Sequence, residues 1–317
     1  MTQGEGIERV SFEKNVASAV PLQNGEAQRT VSLDGAYKLC KTVAQSHYEN
    51  FTVVTRFLPK WSRKYVYALY AYCRYTDDLG DEISGDRLEK LNRWERKLKG
   101  ALSERGTPDH PILIAVQDMT SELGLPQEQF KKLIEANRID QRRSTYQTYQ
   151  EIVDYCEHSA NPVGRLFLSI FDYHSQDLFR LSDKTCTGLQ LTNFWQDVYR
   201  DLEKGRVYIP QEDMNSYGYS IEELQNREYN CRFKKLMKFE VQRARGLLEE
   251  GLQLPDLLDR TLQLDVRLFN LGGLAILDKI ESLDYNVLDH RPTVSKFEKT
   301  KLLLGELIKH RLRCFFA

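Results

Sequence analysis

The sequence is short of the patterns that announce most ligand classes. Its six cysteines (Cys40, Cys73, Cys156, Cys186, Cys231 and Cys314) are scattered and form no Cys-x-x-Cys pair. That sets aside a zinc ribbon and a disulfide scaffold. The six histidines are equally dispersed. No run approaches the ~18–20 apolar residues of a membrane span, and the first residues lack the apolar core of a secretory signal. A formal net charge of −1 gives no global field to attract nucleic acid, so a polyanionic ligand must be met locally, by basic side chains or a metal. Alternating strand patterns, internal repeats, low-complexity tracts and long Gly/Ser/Pro linkers are also missing. These absences favour a reducing, cytoplasmic setting and one all-α domain.

What is present supports that expectation. Across 317 residues, 41% are apolar and 29% charged, enough for a sizeable core. Residues 1–30 are polar and aperiodic, with Gly4, Gly6 and Gly25, and read as a flexible tail before a single domain over 31–317. Ser32-Leu33-Asp34-Gly35 looks like a helix start, with Tyr37, Leu39, Cys40, Val43 and Ala44 as its apolar positions. After Pro59, Val66, Leu69, Tyr70 and Cys73 recur at helical spacing over about 62–81. Further helices are expected near 86–104, 110–123, 127–140, 148–158, 162–171, 177–204, 228–252, 256–285 and 294–314, with prolines close to their boundaries.

Two of these helices carry acidic clusters. Asp77 and Asp81, in Tyr75-Thr76-Asp77-Asp78-Leu79-Gly80-Asp81-Glu82, lie one turn apart on one face. Like charges at that spacing destabilise a bare helix by roughly 0.2–0.5 kcal/mol, and the helix C-terminus disfavours anions further. A divalent cation would compensate. In the second cluster, Asn193, Asp197 and Asp201 repeat every four residues, opposite Leu189, Leu191, Phe194, Trp195 and Val198. A helix so apolar should be mostly buried, and its carboxylate stripe must face a cavity or a metal. Oxygen ligands of this kind suit Mg²⁺. Arg74 precedes the first cluster, and Arg200, Lys204 and Arg206 flank the second; each suits phosphate binding or an ordinary helix ion pair. Gly205 is expected to end the second helix. Phe51, Phe57, Trp61, Tyr65, Tyr67, Tyr70, Tyr72 and Tyr75 read mostly as core, with some able to line a cavity that stabilises a carbocation.

These residues resemble a known family. Tyr72-Cys73-Arg74-Tyr75-Thr76-Asp77-Asp78-Leu79-Gly80-Asp81 is similar to the first aspartate-rich motif of squalene and phytoene synthases. Gln190-Leu191-Thr192-Asn193 through Asp197, Asp201 and Gly205-Arg206-Val207-Tyr208-Ile209-Pro210 is similar to the second. His47-Tyr48-Glu49-Asn50-Phe51 resembles the short N-terminal segment that helps bind diphosphate there, and Tyr155-Cys156 with Val163-Gly164 resembles the central tyrosine segment. The likeness covers roughly residues 35–285.

The resemblance implies an isoprenoid-synthase helical fold around a central cavity. Across its mouth, Asp77, Asp78, Asp81, Asn193, Asp197 and Asp201 would hold Mg²⁺ against an isoprenoid diphosphate. Arg74, Arg206 and Tyr155 would act in catalysis, and His47, Tyr48, Asn50, Gln190 and Tyr208 would join the two arginines in binding substrate. Relatives often place a basic residue where this chain has Gln196, and bulky or basic ones near Gly272-Gly273. Ser159-Ala160-Asn161-Pro162, Asn193-Phe194-Trp195-Gln196-Asp197 and Glu49-Asn50-Phe51 look most like bacterial hydroxysqualene synthases of hopanoid pathways. Those ionise presqualene diphosphate, rearrange the cation and capture it with water, a carbon–oxygen lyase reaction that needs no NADPH. The alternatives are head-to-head condensation of two prenyl diphosphates, and a non-catalytic lipid-binding or assembly subunit. Upstream and downstream squalene-pathway enzymes are the implied partners. Lastly, Lys301–Phe316 aligns Leu303, Leu304, Leu307, Ile308 and Leu312 beside Lys301, Lys309, Arg311 and Arg313. That suits either a peripheral membrane contact or a final helix docked on the core.

Overall fold

The computed structural model describes residues 31–46 and 57–316. The chain is a bundle of α1 (Leu33–Ser46), α2 (Arg63–Asp81), α3 (Arg87–Ala101), α4 (Pro111–Leu123), α5 (Gln127–Arg142), α6 (Tyr149–Ser159), α7 (Asn161–Ile170), α8 (Gln176–Glu203), α9 (Gln211–Ser216), α10 (Ile221–Gln225), α11 (Cys231–Gly251), α12 (Arg260–Ser282) and α13 (Lys296–Phe316). Among the described residues no strand forms, and a lone parallel bridge joins Thr145 to Val207. The all-α expectation holds, and the tail over 1–30 lies outside the described residues.

Local chemistry explains the main boundaries. The Ser32 hydroxyl accepts from the Gly35 amide at 3.2 Å, opening α1, and α1 buries Ala36, Cys40, Val43 and Ala44 on one face. α2 follows Pro59 and is surrounded by α1, α3, α4, α5 and α7, so its buried positions run nearly all round it: Tyr65, Val66, Ala68, Leu69, Ala71 and Tyr72 among them. α8, 28 residues long, starts where Ser175 caps the Asp177 amide. It ends as expected at Gly205, whose φ of 72° costs a residue without a Cβ little. α8 packs against α6, α7, α11 and α12. Two apolar cores result, one around α1–α4 and one around α8, α11 and α12. α2 runs through the first and α8 through the second, and both helices carry their acidic clusters toward their C-terminal ends.

The structure departs from the expected pattern in four places. The helix expected over 256–285 is broken: Pro255 sits in a 3₁₀ turn (Leu254–Leu257), and α12 begins only at Arg260. α9 and α10 fill a stretch where no helix is expected; both are too short for a periodic pattern, and α10 is set by a Ser220/Glu223 capping box. Among the aromatics, Tyr65 and Tyr72 are core, whereas Phe57 and Trp61 are exposed and Phe51 lies outside the described residues. α13 packs on α12 and ties to it through Glu298 and Lys279 at 2.6 Å. It buries Glu306 while exposing Phe297, Leu304 and Ile308. The docked helix is thus observed, but Leu304 and Ile308 are not what docks it.

Candidate active site

The end of α2 is shaped by a glycine. A Cβ on Gly80 would stand 2.2 Å from the Asn137 Oδ1 of α5, so its absence lets the two helices close at this point. Asn137 then donates to Asp77 Oδ1 at 3.0 Å, and Gln141 donates to the Gly80 carbonyl at 3.0 Å. Asp77 is exposed at one side, with Asn137 packed against its carboxylate on the other. Burial, reinforced by Asp81 and Asp78, pushes its carboxyl up to about 7 against the pull of Asn137 and Arg74. Asp78, expected among the metal ligands, points elsewhere. It is 3% exposed and forms an ion pair with Arg74 at 2.6 Å, because residue 78 is turned about 100° from 77 on a 3.6-residue helix. Arg74, expected at the diphosphate, is accordingly engaged within its own helix.

The end of α8 has the predicted division. Leu191, Phe194, Trp195 and Val198 are buried, Asn193 is exposed, and Gln190, Asp197 and Asp201 are partly exposed along the same stripe. Asp197 accepts a bidentate clamp from Arg291, Nε to Oδ1 at 2.6 Å and Nη2 to Oδ2 at 2.8 Å. Gln196 is buried; it accepts from Arg291 at 3.0 Å and donates to the Pro292 carbonyl at 2.5 Å. A cation from the loop before α13 thus stands beside both Gln196 and Asp197. Burial and then the neighbouring Asp197 push Asp201 up to about 7.

The exit from α8 joins the two clusters. Arg206 donates to Asp81 at 2.7 Å, and Lys204 stands 3.8 Å from the same carboxylate. Backbone bonds hold this segment to residues 144–147, from Val207 to the Ser144 carbonyl at 2.8 Å and from Gln211 to the Tyr146 carbonyl at 2.9 Å. Tyr208 is thereby stacked on Phe194, with ring centroids 3.8 Å apart, and set beside Tyr146 and Tyr155. The Tyr155 and Tyr208 hydroxyls both donate to Asp140 of α5, at 2.8 and 3.1 Å. Burial pushes both phenols well up, so each keeps its proton.

Asp77, Asp81, Asn193, Asp197, Asp201, Arg206, Tyr155 and Tyr208 thus belong to one region, with Gln190 further along the stripe. His47, Tyr48 and Asn50 lie outside the described residues. Sequence reasoning missed Asn137, Asp140, Gln141 and Arg291. The first three are polar positions at i, i+3 and i+4 of one helix, a pattern that any solvated helix face also shows. Arg291, in an irregular loop, carries no periodic signal at all.

Among the described residues no three His, Cys, Asp or Glu side chains converge as a metal cage. Two separate carboxylate pairs, each with one member pushed up to about 7, suit a different mode. Mg²⁺ binds through one or two carboxylates, keeps waters and bridges to substrate phosphates.

Comparison with known proteins gives a consistent result. A sequence model described as squalene/phytoene synthase matches residues 44–298. The 15-cis-phytoene synthase of Synechocystis sp. is 31% identical, over 87% of this chain and 85% of its own. The phytoene synthase of Arthrospira platensis is 30% identical, over 84% of this chain and 91% of its own. The crystal structure of squalene synthase HpnC from Alicyclobacillus acidocaldarius is similar with a TM-score of 0.77 and 42% identity, covering 80% of this chain and 96% of that one. A dehydrosqualene synthase in complex with ligand gives a TM-score of 0.80 at 24% identity, over 89% and 98%, a likeness of fold.

Proposed function

We propose a reaction for this chain from one premise: it belongs to the squalene/phytoene synthase family. The reaction is ionisation of presqualene diphosphate, followed by rearrangement and capture by water to give hydroxysqualene and diphosphate. The observation that carries the ionisation step is the Arg206–Asp81 ion pair, which holds the two acidic helix ends against each other with cationic side chains between them.

The residues that would hold Mg²⁺ are Asp77, Asp81, Asp197 and Asp201, with Asn193 as a further oxygen. Bound there, the ion supplies positive charge to the departing diphosphate. Arg206, Lys204 and Arg291 surround the same region and offer charge-assisted hydrogen bonds to phosphate oxygens. Tyr155, Tyr208 and Phe194 form an aromatic wall whose faces favour a carbocation.

The choice of branch rests on Ser159-Ala160-Asn161-Pro162 and Asn193-Phe194-Trp195-Gln196-Asp197, with support from the 42% identity to squalene synthase HpnC. In the structure Asn161 accepts from Thr187 at 3.0 Å, and a Cβ on Gly164 would meet Cys186 Sγ at 2.5 Å. Part of this signature therefore fixes how α7 sits on α8. A second reading, head-to-head condensation of two prenyl diphosphates, is favoured by the phytoene synthases at 31% identity. The deciding experiment supplies presqualene diphosphate and Mg²⁺ in H₂¹⁸O without reductant. The expected product is a thirty-carbon alcohol carrying one ¹⁸O. Squalene formed only with NADPH, or a cyclopropyl diphosphate made from farnesyl diphosphate, overturns the proposal in favour of the second reading. No described helix is long and apolar enough to cross a membrane. We place the enzyme in the cytoplasm, using no NADPH and passing its product to a downstream squalene-pathway enzyme.

A further inference from the structure

Water capture leaves a proton to be disposed of inside a site walled by aromatic rings. We infer that Asp140, acting through the Tyr155 hydroxyl, positions the captured water and takes up its proton. This rests on the proposed reaction and adds to it the group that aims the water.

The geometry is specific. Each carboxylate oxygen of Asp140 receives one phenol, Tyr155 on Oδ2 at 2.8 Å and Tyr208 on Oδ1 at 3.1 Å. A phenol has one proton to give. With that proton committed to Asp140, its remaining capacity is to accept, so Tyr155 can receive a hydrogen bond from water but cannot offer one. A water held in that way has its own lone pairs turned outward, as attack on a cation requires. Around the Tyr155 ring stand Tyr146 at 5.9 Å, Phe194 at 5.9 Å and Tyr208 at 6.0 Å. Phe194 and Tyr208 line one small recess with Asp201 and Arg206, so this aromatic wall reaches the acidic stripe at Asp201.

The charged and titratable groups turned toward Asp140 are Arg206, Tyr208 and Tyr146 from the paired segments, Tyr155 from α6, Asp81 from α2 and Asp201 from α8. Burial raises the Asp140 carboxyl above its ordinary range, against Arg206 and the two phenols. A raised carboxylate is the better base. In the step itself, the water oxygen forms the new C–O bond and one water O–H bond breaks. That proton passes to the Tyr155 oxygen as the Tyr155 proton moves to Asp140 Oδ2. Cation and carboxylate are consumed together, leaving a neutral alcohol, an unchanged tyrosine and a neutral carboxyl, so charge balances without an added co-reactant. The alternative acceptor is the departed diphosphate.

The test measures the ratio of ¹⁸O-labelled alcohol to diphosphate released, from presqualene diphosphate and Mg²⁺ in H₂¹⁸O. Wild type, Asp140→Asn, Tyr155→Phe and Tyr208→Phe are compared, and melting temperatures are recorded for all four. The expected result is a fall in this ratio of at least about 10-fold for Asp140→Asn and Tyr155→Phe, with alkenes appearing as carbon loses the proton instead. Tyr208→Phe, whose bond goes to the other carboxylate oxygen, should move the ratio less. A purely structural role lowers alcohol and diphosphate in parallel; an unchanged ratio in both variants overturns the inference and makes diphosphate the acceptor. Should Asp140→Asn fail to fold, Tyr155→Phe, which removes only a hydroxyl, decides. A wild-type enzyme that makes no alcohol removes the proposed reaction itself, and this inference with it.

Discussion

The two acidic helix ends are built alike and neutralised differently. Each holds one carboxylate bound by an arginine from outside its helix and one pushed up to about 7, and the end of α2 adds the Asp78–Arg74 pair within its own helix. At the end of α2 these are Asp81, bound by Arg206, and Asp77; at the end of α8 they are Asp197, bound by Arg291, and Asp201. Arg206 lies five residues beyond Asp201, so the first cluster is held by the second. Arg291 comes from the loop before α13, far along the chain. The lesson is that one cation links the clusters to each other, whereas the other links the second cluster to the C-terminal part of the domain. In both, the carboxylate with the raised pKa carries a charge that a divalent ion would relieve.

The largest effect should come from removing a carboxylate. Asp77→Ala and Asp197→Ala should each reduce turnover by about 10³-fold, several kcal/mol of lost transition-state stabilisation, while circular dichroism and melting show an intact fold. Excess EDTA should abolish turnover in the wild type and added Mg²⁺ restore it. Full turnover in EDTA would break the reading of both clusters at once.

The two arginines should then separate. Arg206→Ala removes the tie between clusters and the proposed phosphate contact, and about a 10²-fold loss is expected. Arg291→Lys keeps the charge but loses the bidentate geometry on Asp197, with a loss nearer to about 10-fold. Steady-state kinetics with presqualene diphosphate measure both. If Arg291→Lys proves the more damaging, the clamp on Asp197 is the critical link and the comparison inverts.

The smallest effect is on stability. In the metal-free protein, burial raises Asp77 and Asp201 from 3.8 to about 7. Between those values the folded chain holds protons that the unfolded chain has released, so stability must fall as pH rises through that window. Melting in EDTA should therefore occur roughly 2–4 °C lower near pH 8 than near pH 5.5. Asp201→Asn should flatten this slope more than Asp77→Asn, because Asp77 has the better access to water. Melting that rises with pH, or a slope unaltered in both variants, would show that neither carboxylate carries the cost assigned to it.

The fold and the two clusters were legible because they follow helical periodicity. Val66, Leu69, Tyr70 and Cys73 recur at helical spacing and are buried or half-buried, and Asn193, Asp197 and Asp201 fall on one stripe of a largely apolar helix end. Asp78 shows the limit of that signal: adjacency in sequence resembles proximity in a cluster, yet a 100° turn sends neighbouring side chains to different surfaces, and Asp78 pairs with Arg74. At Gln196 the resemblance leads one to expect a basic residue, and only the fold reveals that Arg291 stands beside it.

By itself, then, the sequence determined an all-α chain, the helices that carry the acidic residues, the glycine that ends α8 and the family to which the motifs belong. These depend on interactions within about four residues, which spacing records directly. The tertiary structure alone decided that Arg206 reaches Asp81, that Arg291 clamps Asp197, that Asn137 fits where Gly80 has no side chain and that Asp140 gathers Tyr155 and Tyr208. Each of these joins residues that are distant in the chain through a single polar contact. A lone polar contact leaves no periodic trace, and the partner is set by how whole helices pack rather than by any local preference.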